Sequence, residues 1–232
     1  MKFEAEVAQV IQRTKGAKSI RFEKPKGFNY LPGQWAFLTL GQDTKPLSFS
    51  SSPTETFLEV TKRLTDQRFS NALDVLNVGD NALINGPYGN FTFTGEYDKV
   101  CMLSGGIGIT PLRSMIRYVT DRSLNTEIIL LYSNRYEDDI PFMDDFEEMR
   151  GLNPHLNVMI TITKPSAKWS GLTGRINREM IESFVPDYPE RVYYACGPAP
   201  MVDAMRSILH DMSLSEDRLK REYFSGFNGA SA

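Results

Sequence analysis

The stretch Leu103–Leu112, LSGGIGITPL, decides how the rest of the chain is read. It comes after the apolar run KVCML and opens into PLRSMIRYV, whose apolar residues recur at helical spacing. Strand, glycines, then helix is the order in which a polypeptide accepts a pyrophosphate. The glycines let the backbone approach the ligand, and the first free N–H groups of the helix face the anion. Gly105, Gly106 and Gly108 provide the glycines. Thr110 is expected to cap the helix and Pro111 to suit its first turn. The loop departs from the common dinucleotide fingerprint, because Ile-Thr-Pro replaces the third spaced glycine. A tight strand-to-helix turn without a ligand is the competing reading.

Outward from this loop the two halves of the chain differ in rhythm. Before it come short β-type runs at a spacing of about ten residues: KFEAEVAQVIQR, AKSIRFEKP, QWAFLTL, KPLSFSS, FLEVTKR and NALINGP. One helical interruption, RFSNALDVL, lies among them. After about Tyr97, strand-like and helix-like segments alternate: TEIILLYSN, IPFMDDFEEMRGL, LNVMITIT, INREMIESFV, RVYYACGP and APMVDAMRSILHDM. The first rhythm predicts an antiparallel β-barrel over residues 1–95. The second predicts a doubly wound α/β domain over residues 96–232, a parallel sheet of nucleotide-binding type. FTGEYDK, residues 93–99, is the expected junction, and the closing NGASA is expected to be mobile.

Composition narrows the function classes. Twenty-six Lys and Arg against 29 Asp and Glu leave a net charge of −3, too mild for a nucleic-acid binder. No apolar run approaches the roughly 20 residues of a membrane span, and the acid-bearing start MKFEAEVAQV does not resemble a signal peptide. A cytoplasmic protein is expected. Cys101, Cys196, His155 and His210 are scattered without metal-site spacing, so no metal centre is expected and any redox chemistry must use an organic cofactor.

Four further stretches carry candidate chemistry. YYACGPAPMVDAM, residues 193–205, repeats the strand–loop–helix order with Cys196, Gly197, Pro198 and Met201, so two loops would converge at the carboxyl ends of parallel strands. KPLSFSSSP, residues 45–53, offers hydroxyls beside Lys45, although taken alone an exposed edge strand with a Ser-rich turn is the better explanation. In VTKRLTDQRFSNAL, residues 60–73, Lys62 and Arg63 supply charge, and Ser70 or Asn71 could open a helix. REYFSGF places aromatics near the carboxyl terminus, where simple docking of a last strand is the alternative.

The ordered set YLPGQW, KPLSFSSSP, VTKR, SNAL, GPYGNF, SGGIGITPL, YACGPAPM and EYF resembles the ferredoxin–NADP reductase superfamily over essentially the whole chain. It is closest to compact FAD/NAD(P)-binding oxidoreductases and to oxygenase reductase components without their iron–sulfur domain. The resemblance implies a flavin on the barrel, FAD over FMN, and NAD(P)H on the second domain. It sets Lys45, Pro46, Leu47 and Ser48 on the family's Arg-x-Tyr-Ser motif. Lys45 would contact the pyrophosphate, Leu47 would stand where tyrosine stacks on the ring, and Ser48 would lie near the reactive flavin nitrogen. Lysine lacks the bidentate fork of arginine, and leucine removes the stacking. Val60, Lys62 and Arg63 match the segment along the ribityl–phosphate chain, and Phe69, Ser70 and Asn71 match the helix start after it. Phe224, or else Tyr223, matches the aromatic covering the other flavin face, and Glu222 matches an acid beside it.

By this resemblance the chain is expected to be a flavoprotein reductase. NAD(P)H would dock its phosphates over Gly105 to Thr110, with its nicotinamide between Cys196 and the flavin. Ser48, Cys196 and Glu222 would serve the chemistry, Cys196 by packing and not as a nucleophile. Ser133, Asn134 and Arg135 precede the acids Glu137 to Asp139, which favours NADPH slightly over NADH. Electrons would then leave for an acceptor outside the chain: a ferredoxin, an oxygenase component, a quinone or free flavin. A flavin-bearing subunit acting mainly as a docking or redox-responsive module is the alternative.

Overall fold

The computed structural model describes residues 1–224. The NGASA tail lies outside them. Two compact units are present. One comprises residues 1–94, 110–124 and 138–143, and the other residues 95–109, 125–137 and 144 onward.

The first unit is built on six antiparallel strands: β1 (Lys2–Thr14), β2 (Ala17–Glu23), β3 (Trp35–Leu40), β4 (Asp43–Ser48), β5 (Phe57–Arg63) and β6 (Asn81–Tyr88). Their order is β4-β3-β6-β1-β2-β5, and a bridge between Phe49 and Val60 links the two ends of the sheet. That bridge closes the barrel, which removes the exposed edges an open sheet would leave. Alternation sets what points inward: Ala36, Leu38 and Leu40 of β3 are buried, with Val7, Ile20, Phe22, Leu58 and Ile84 from other strands. Helix α1 (Arg68–Asp74) adds Phe69 and Leu73 to this core. It is shorter than RFSNALDVL suggests. Its cap is Gln67, which makes no side-chain capping bond, and neither Ser70 nor Asn71 occupies that position.

Glu59 of β5 is wholly buried in this unit, an unusual place for a carboxylate. Arg13 reaches it at 2.9 Å and Arg21 at 2.8 Å, and Ser50 Oγ donates to its second oxygen at 2.8 Å. Two cations and a hydroxyl satisfy both carboxylate oxygens, which is what keeps a buried charge tolerable.

The second unit carries six parallel strands: β7 (Lys99–Gly105), β8 (Glu127–Asn134), β9 (Leu156–Ile162), β10 (Leu172–Thr173), β11 (Val192–Pro198) and β12 (Leu219–Phe224). The order is β10-β9-β8-β7-β11-β12. The chain steps outward from β7 through β8, β9 and β10, then returns to place β11 on the other side of β7. The strand order therefore reverses between β7 and β11, the place where open α/β sheets take ligands. Two-residue β10 has no counterpart among the strands expected from sequence, because a pair of residues carries no periodicity. On one face Cys101, Leu103, Ile129, Leu131, Tyr193 and Ala195 pack with Ile181 of α4 (Arg178–Phe184) and with Val202, Met205 and Leu209 of α5 (Ala199–Asp211). On the opposite face Tyr132 meets Phe146 of α3 (Met143–Leu152) edge-on at 6.2 Å between ring centroids. Helix α2 (Ile109–Asp121) is joined to β7 by the 3-10 turn Gly106–Gly108. Among the described residues no helix is long and apolar enough to cross a membrane.

Replacing Glu59 with Ala should lower stability in urea by about 3 kcal/mol, the low end for breaking a buried pair. The low end applies because the side chains of Arg13 and Arg21 are 12% and 24% exposed and can rehydrate. A change below about 0.5 kcal/mol, the usual range for a surface substitution, would show that the network is dispensable.

Candidate functional site

In the second unit the site is assembled by strand register. Ser104 of β7 pairs with Cys196 of β11 and with Tyr132 of β8, and Cys196 pairs with Glu222 of β12. Residues in register across a parallel sheet project to the same face. Glu222, Cys196, Ser104 and Tyr132 thus form one row near the carboxyl ends of the strands. Immediately beyond it stand the two glycine loops, and they touch. A Cβ on Gly108 would lie 2.4 Å from the Cys196 carbonyl oxygen and 2.5 Å from Gly197 Cα, so no other residue fits there. Met201 covers the junction, its Sδ 3.3 Å from where a Gly197 Cβ would stand and its Cγ 3.5 Å from that of Gly105. Pro198 Cδ lies at the same 3.5 Å from the Gly105 position.

Gly106 serves differently. Its φ is +53° and a Cβ there would meet nothing within 4 Å, so the glycine answers a backbone requirement and leaves a bare face on the loop. Helix α2 begins at Ile109, which makes Thr110 its second residue and not its cap; Thr110 and Pro111 are buried.

At the ends of β7 and β8, the Ser104 hydroxyl and both side-chain polar atoms of Asn134 are buried without a hydrogen-bond partner. Unsatisfied buried polar groups are rare and cost about 1–3 kcal/mol each. Bare glycine backbone together with orphaned polar groups at the strand ends fits a polar nucleotide. Ser133 is half-buried and Arg135 exposed, with the Arg135 guanidinium 5.5 Å from the Tyr136 ring centroid. Glu137 is engaged elsewhere: it accepts the Ser166 backbone N–H at 3.1 and 3.3 Å, and hydrogen bonds from Ser166 hold its carboxyl below the usual range.

Cys196 is wholly buried, and burial first, then the nearby Glu222, pushes its thiol well above the usual range. A thiol that keeps its proton at neutral pH is no nucleophile. Burial also raises the carboxyl of half-buried Glu222. Phe224 pairs with Pro198 and is half-buried, whereas Tyr223 is exposed and donates to Asp203 at 3.1 Å.

In the first unit, Lys45 and Pro46 are exposed, Leu47 is half-buried against the core, and Ser48 is buried with no side-chain hydrogen bond. Two residues along each chain from the Phe49–Val60 bridge stand Leu47 and Lys62. Burial, then the charge of Lys45, lowers the Lys62 ammonium from its ordinary value. Neither lysine has a carboxylate partner among the described residues. Two mutually repelling cations left unneutralised fit a polyanion such as a pyrophosphate. Arg63 is otherwise committed, to Asp139 at 3.3 Å. Ser70 shares a hydrogen bond with Thr65 at 3.0 Å, and Asn71 is exposed. Val60 and Phe69 contribute their side chains to the barrel core, so only their backbone is available to a ligand.

The serines of KPLSFSSSP divide into two classes that composition could not separate. Ser50 bonds Glu59 and Thr61, Ser51 bonds Tyr30, and Ser52 bonds Thr54, which leaves Ser48 alone with an uncommitted hydroxyl. Ser104 is not among the residues that the sequence motifs single out; its place directly before the glycines was the signal for it.

Glu222 gives a pH test. In the folded chain its carboxyl holds a proton to higher pH than in the unfolded chain, whose value is about 4.3. Stability therefore falls as pH rises from that value through the folded one, and Glu222→Gln removes the fall. The variant should melt above the parent at pH 7–8 and together with it near pH 4. Parallel melting profiles at all pH values would show that the carboxyl is fully solvated.

Comparison with known proteins agrees with this geometry. Residues 102–207 match the family model described as an oxidoreductase NAD-binding domain. The chain is 34% identical over 230 residues to the glycine betaine monooxygenase reductase subunit of Chromohalobacter salexigens, covering 93% of this chain and 62% of that protein. It thus spans less than two thirds of this curated relative. Among solved structures, the ferredoxin reductase in carbazole 1,9a-dioxygenase superposes with a TM-score of 0.85 at 26% identity, over 97% of this chain and 69% of the other. A Neisseria gonorrhoeae ferredoxin NADP+ reductase with bound FAD and NADP shares the fold, with a TM-score of 0.82 at 20% identity over 96% and 98%. With one row of Ser104, Cys196 and Glu222 below two touching glycine loops, and a closed barrel in the other unit, the chain has the ferredoxin-reductase-like fold and is similar in sequence to a monooxygenase reductase subunit.

Proposed function

We propose that this chain oxidises NAD(P)H and passes the electrons to a protein acceptor, an oxygenase component or the carrier that serves one. Residues 1–95 are read as the flavin-binding domain and residues 96–232 as the nucleotide-binding domain. The observation that carries the reading is the contact of the two glycine loops at the reversal between β7 and β11, where Gly108 leaves no room for a side chain. The acceptor class is supported by the monooxygenase reductase subunit that the chain resembles.

A bound FAD would supply the hydride acceptance and electron release that no side chain can provide. The residues provide binding and orientation. Lys45 and Lys62 neutralise the flavin pyrophosphate, and release from their mutual repulsion adds to the gain. Lysine contributes point charge in place of a guanidinium fork, so orientation depends more on the strand backbone. Ser48 offers an uncommitted hydroxyl to the reactive flavin nitrogen. The N–H groups from Gly105 to Ile109 receive the nucleotide phosphates. Cys196 gives the nicotinamide a neutral, polarisable wall, and close by stands the Glu222 carboxyl, which burial makes more reluctant to ionise than a solvated one.

NADPH is the proposed donor over NADH. Glu137 is occupied by Ser166 and does not offer its carboxylate to ribose hydroxyls, while Arg135 is exposed beside the β8 terminus. A guanidinium suits a 2′-phosphate.

Anaerobic mixing with each nucleotide tests the whole reading: the protein should carry yellow flavin absorbance that bleaches faster with NADPH. A colourless protein that stays so after incubation with FAD would overturn it. Lys45→Ala and Lys62→Ala should each weaken FAD retention about tenfold, the loss of one charge-assisted contact. Arg135→Ala should raise KM for NADPH about tenfold and leave NADH nearly unchanged. Equal effects on both nucleotides would remove Arg135 from the discrimination.

A further inference from the structure

The turn joining β4 to β5, residues 50–56, is gripped by buried charge in a way that closing a hairpin does not require. Arg113 on α2 is 2% exposed. Its guanidinium donates to the Ser50 carbonyl at 3.0 Å and to the Glu55 carboxylate, Nη2 to Oε1 at 3.1 Å. Glu55 also accepts the Ser52 backbone N–H at 2.7 Å. Next along the helix, Ser114 Oγ donates to the Ser51 carbonyl at 2.6 Å. All these residues belong to the first unit.

A buried ion pair adds little net stability over well-packed apolar groups, yet it tolerates only a narrow geometry. An apolar contact would close this turn as well and would let it slide. The carbonyl that Arg113 holds lies two residues past Ser48, about 7 Å along an extended chain. Ser48 is buried, and it is the serine of this segment whose hydroxyl is not already spent on the protein.

We propose that Arg113 and Glu55 are positioning residues for Ser48: by pinning the Ser50 carbonyl and the turn, they fix the direction in which the Ser48 hydroxyl meets the flavin. The proposal rests on the reading of the barrel as the flavin site. Hydrogen bonds weaken steeply with angle, so a small rotation of the strand end would cost the contact. The reduced flavin, whose nitrogen that contact favours, would then lose stabilisation.

The test uses flavin-loaded protein carrying Arg113→Met, Arg113→Lys or Glu55→Gln. FAD content should stay near that of the parent, because Lys45 and Lys62 are untouched. The flavin midpoint potential should move to lower values, with a changed visible spectrum. The turnover number kcat should drop on the order of tenfold to a hundredfold, as expected for a misplaced contact. KM for the nucleotide should remain within about twofold. Arg113→Lys should recover part of the potential, since it keeps a donor to the Ser50 carbonyl. If Arg113→Met does not fold, Glu55→Gln decides the matter, because its amide oxygen can still accept the Ser52 N–H. Folded variants with unchanged potential, spectrum and kcat would overturn the positioning role while leaving the flavin site intact. Parent protein that binds no flavin would instead overturn the reading beneath it.

Discussion

Backbone approach at one point constrains this molecule more than any side chain does. Gly108 stands against the Cys196 carbonyl and Gly197 Cα at distances that exclude a Cβ. That approach is possible only because β7 and β11 are neighbours in the sheet, although β8, β9 and β10 all lie between them in the chain. The outward excursion through those three strands has to be completed before the second loop can reach the first. Around this contact stand the reversal of strand order, the bare loop face at Gly106, and the row of Glu222, Cys196 and Ser104 just below.

The barrel unit handles polarity in a contrasting way. Its segment after β4 buries serines, a glutamate and an arginine and satisfies them in a connected network. Such networks specify one arrangement because any slip leaves a buried group unpaired. Set apart from that network are the Ser48 hydroxyl, which makes no hydrogen bond, and the lysines at 45 and 62, which have no carboxylate partner among the described residues. In the other unit the same contrast holds: Arg191 is fully used by Asp187, Glu127 and the Val100 carbonyl, whereas Asn134 and Ser104 are not. Unused polarity, set against a background of satisfied polarity, is what marks both sites.

Departures from the motif order that the chain resembles give the candidate sites their character. Under the proposed reading, Lys45 in place of arginine and Leu47 in place of tyrosine leave the strand assigned to the flavin with charge but without fork or stacking ring. Orientation then falls to the backbone and to whatever fixes it. A turn held by buried ions suits a strand that has given up two directional side chains.

The amino-acid sequence by itself determined the class of fold, since strand alternation and helical spacing are local patterns and the glycine loop names its own geometry. It also marked Cys196, Gly108 and Lys45 by motif order. It did not separate Ser48 from Ser50, Ser51 and Ser52, because identical side chains differ only in the partners that distant strands bring to them. Nor did it show that Glu137 is engaged by Ser166, that Val60 and Phe69 are core, or that Gln67 and not Ser70 caps α1. Those distinctions depend on strand register and burial. A hydroxyl or carboxylate acquires its role from contacts across tens of residues, and such contacts exist only once the chain has folded.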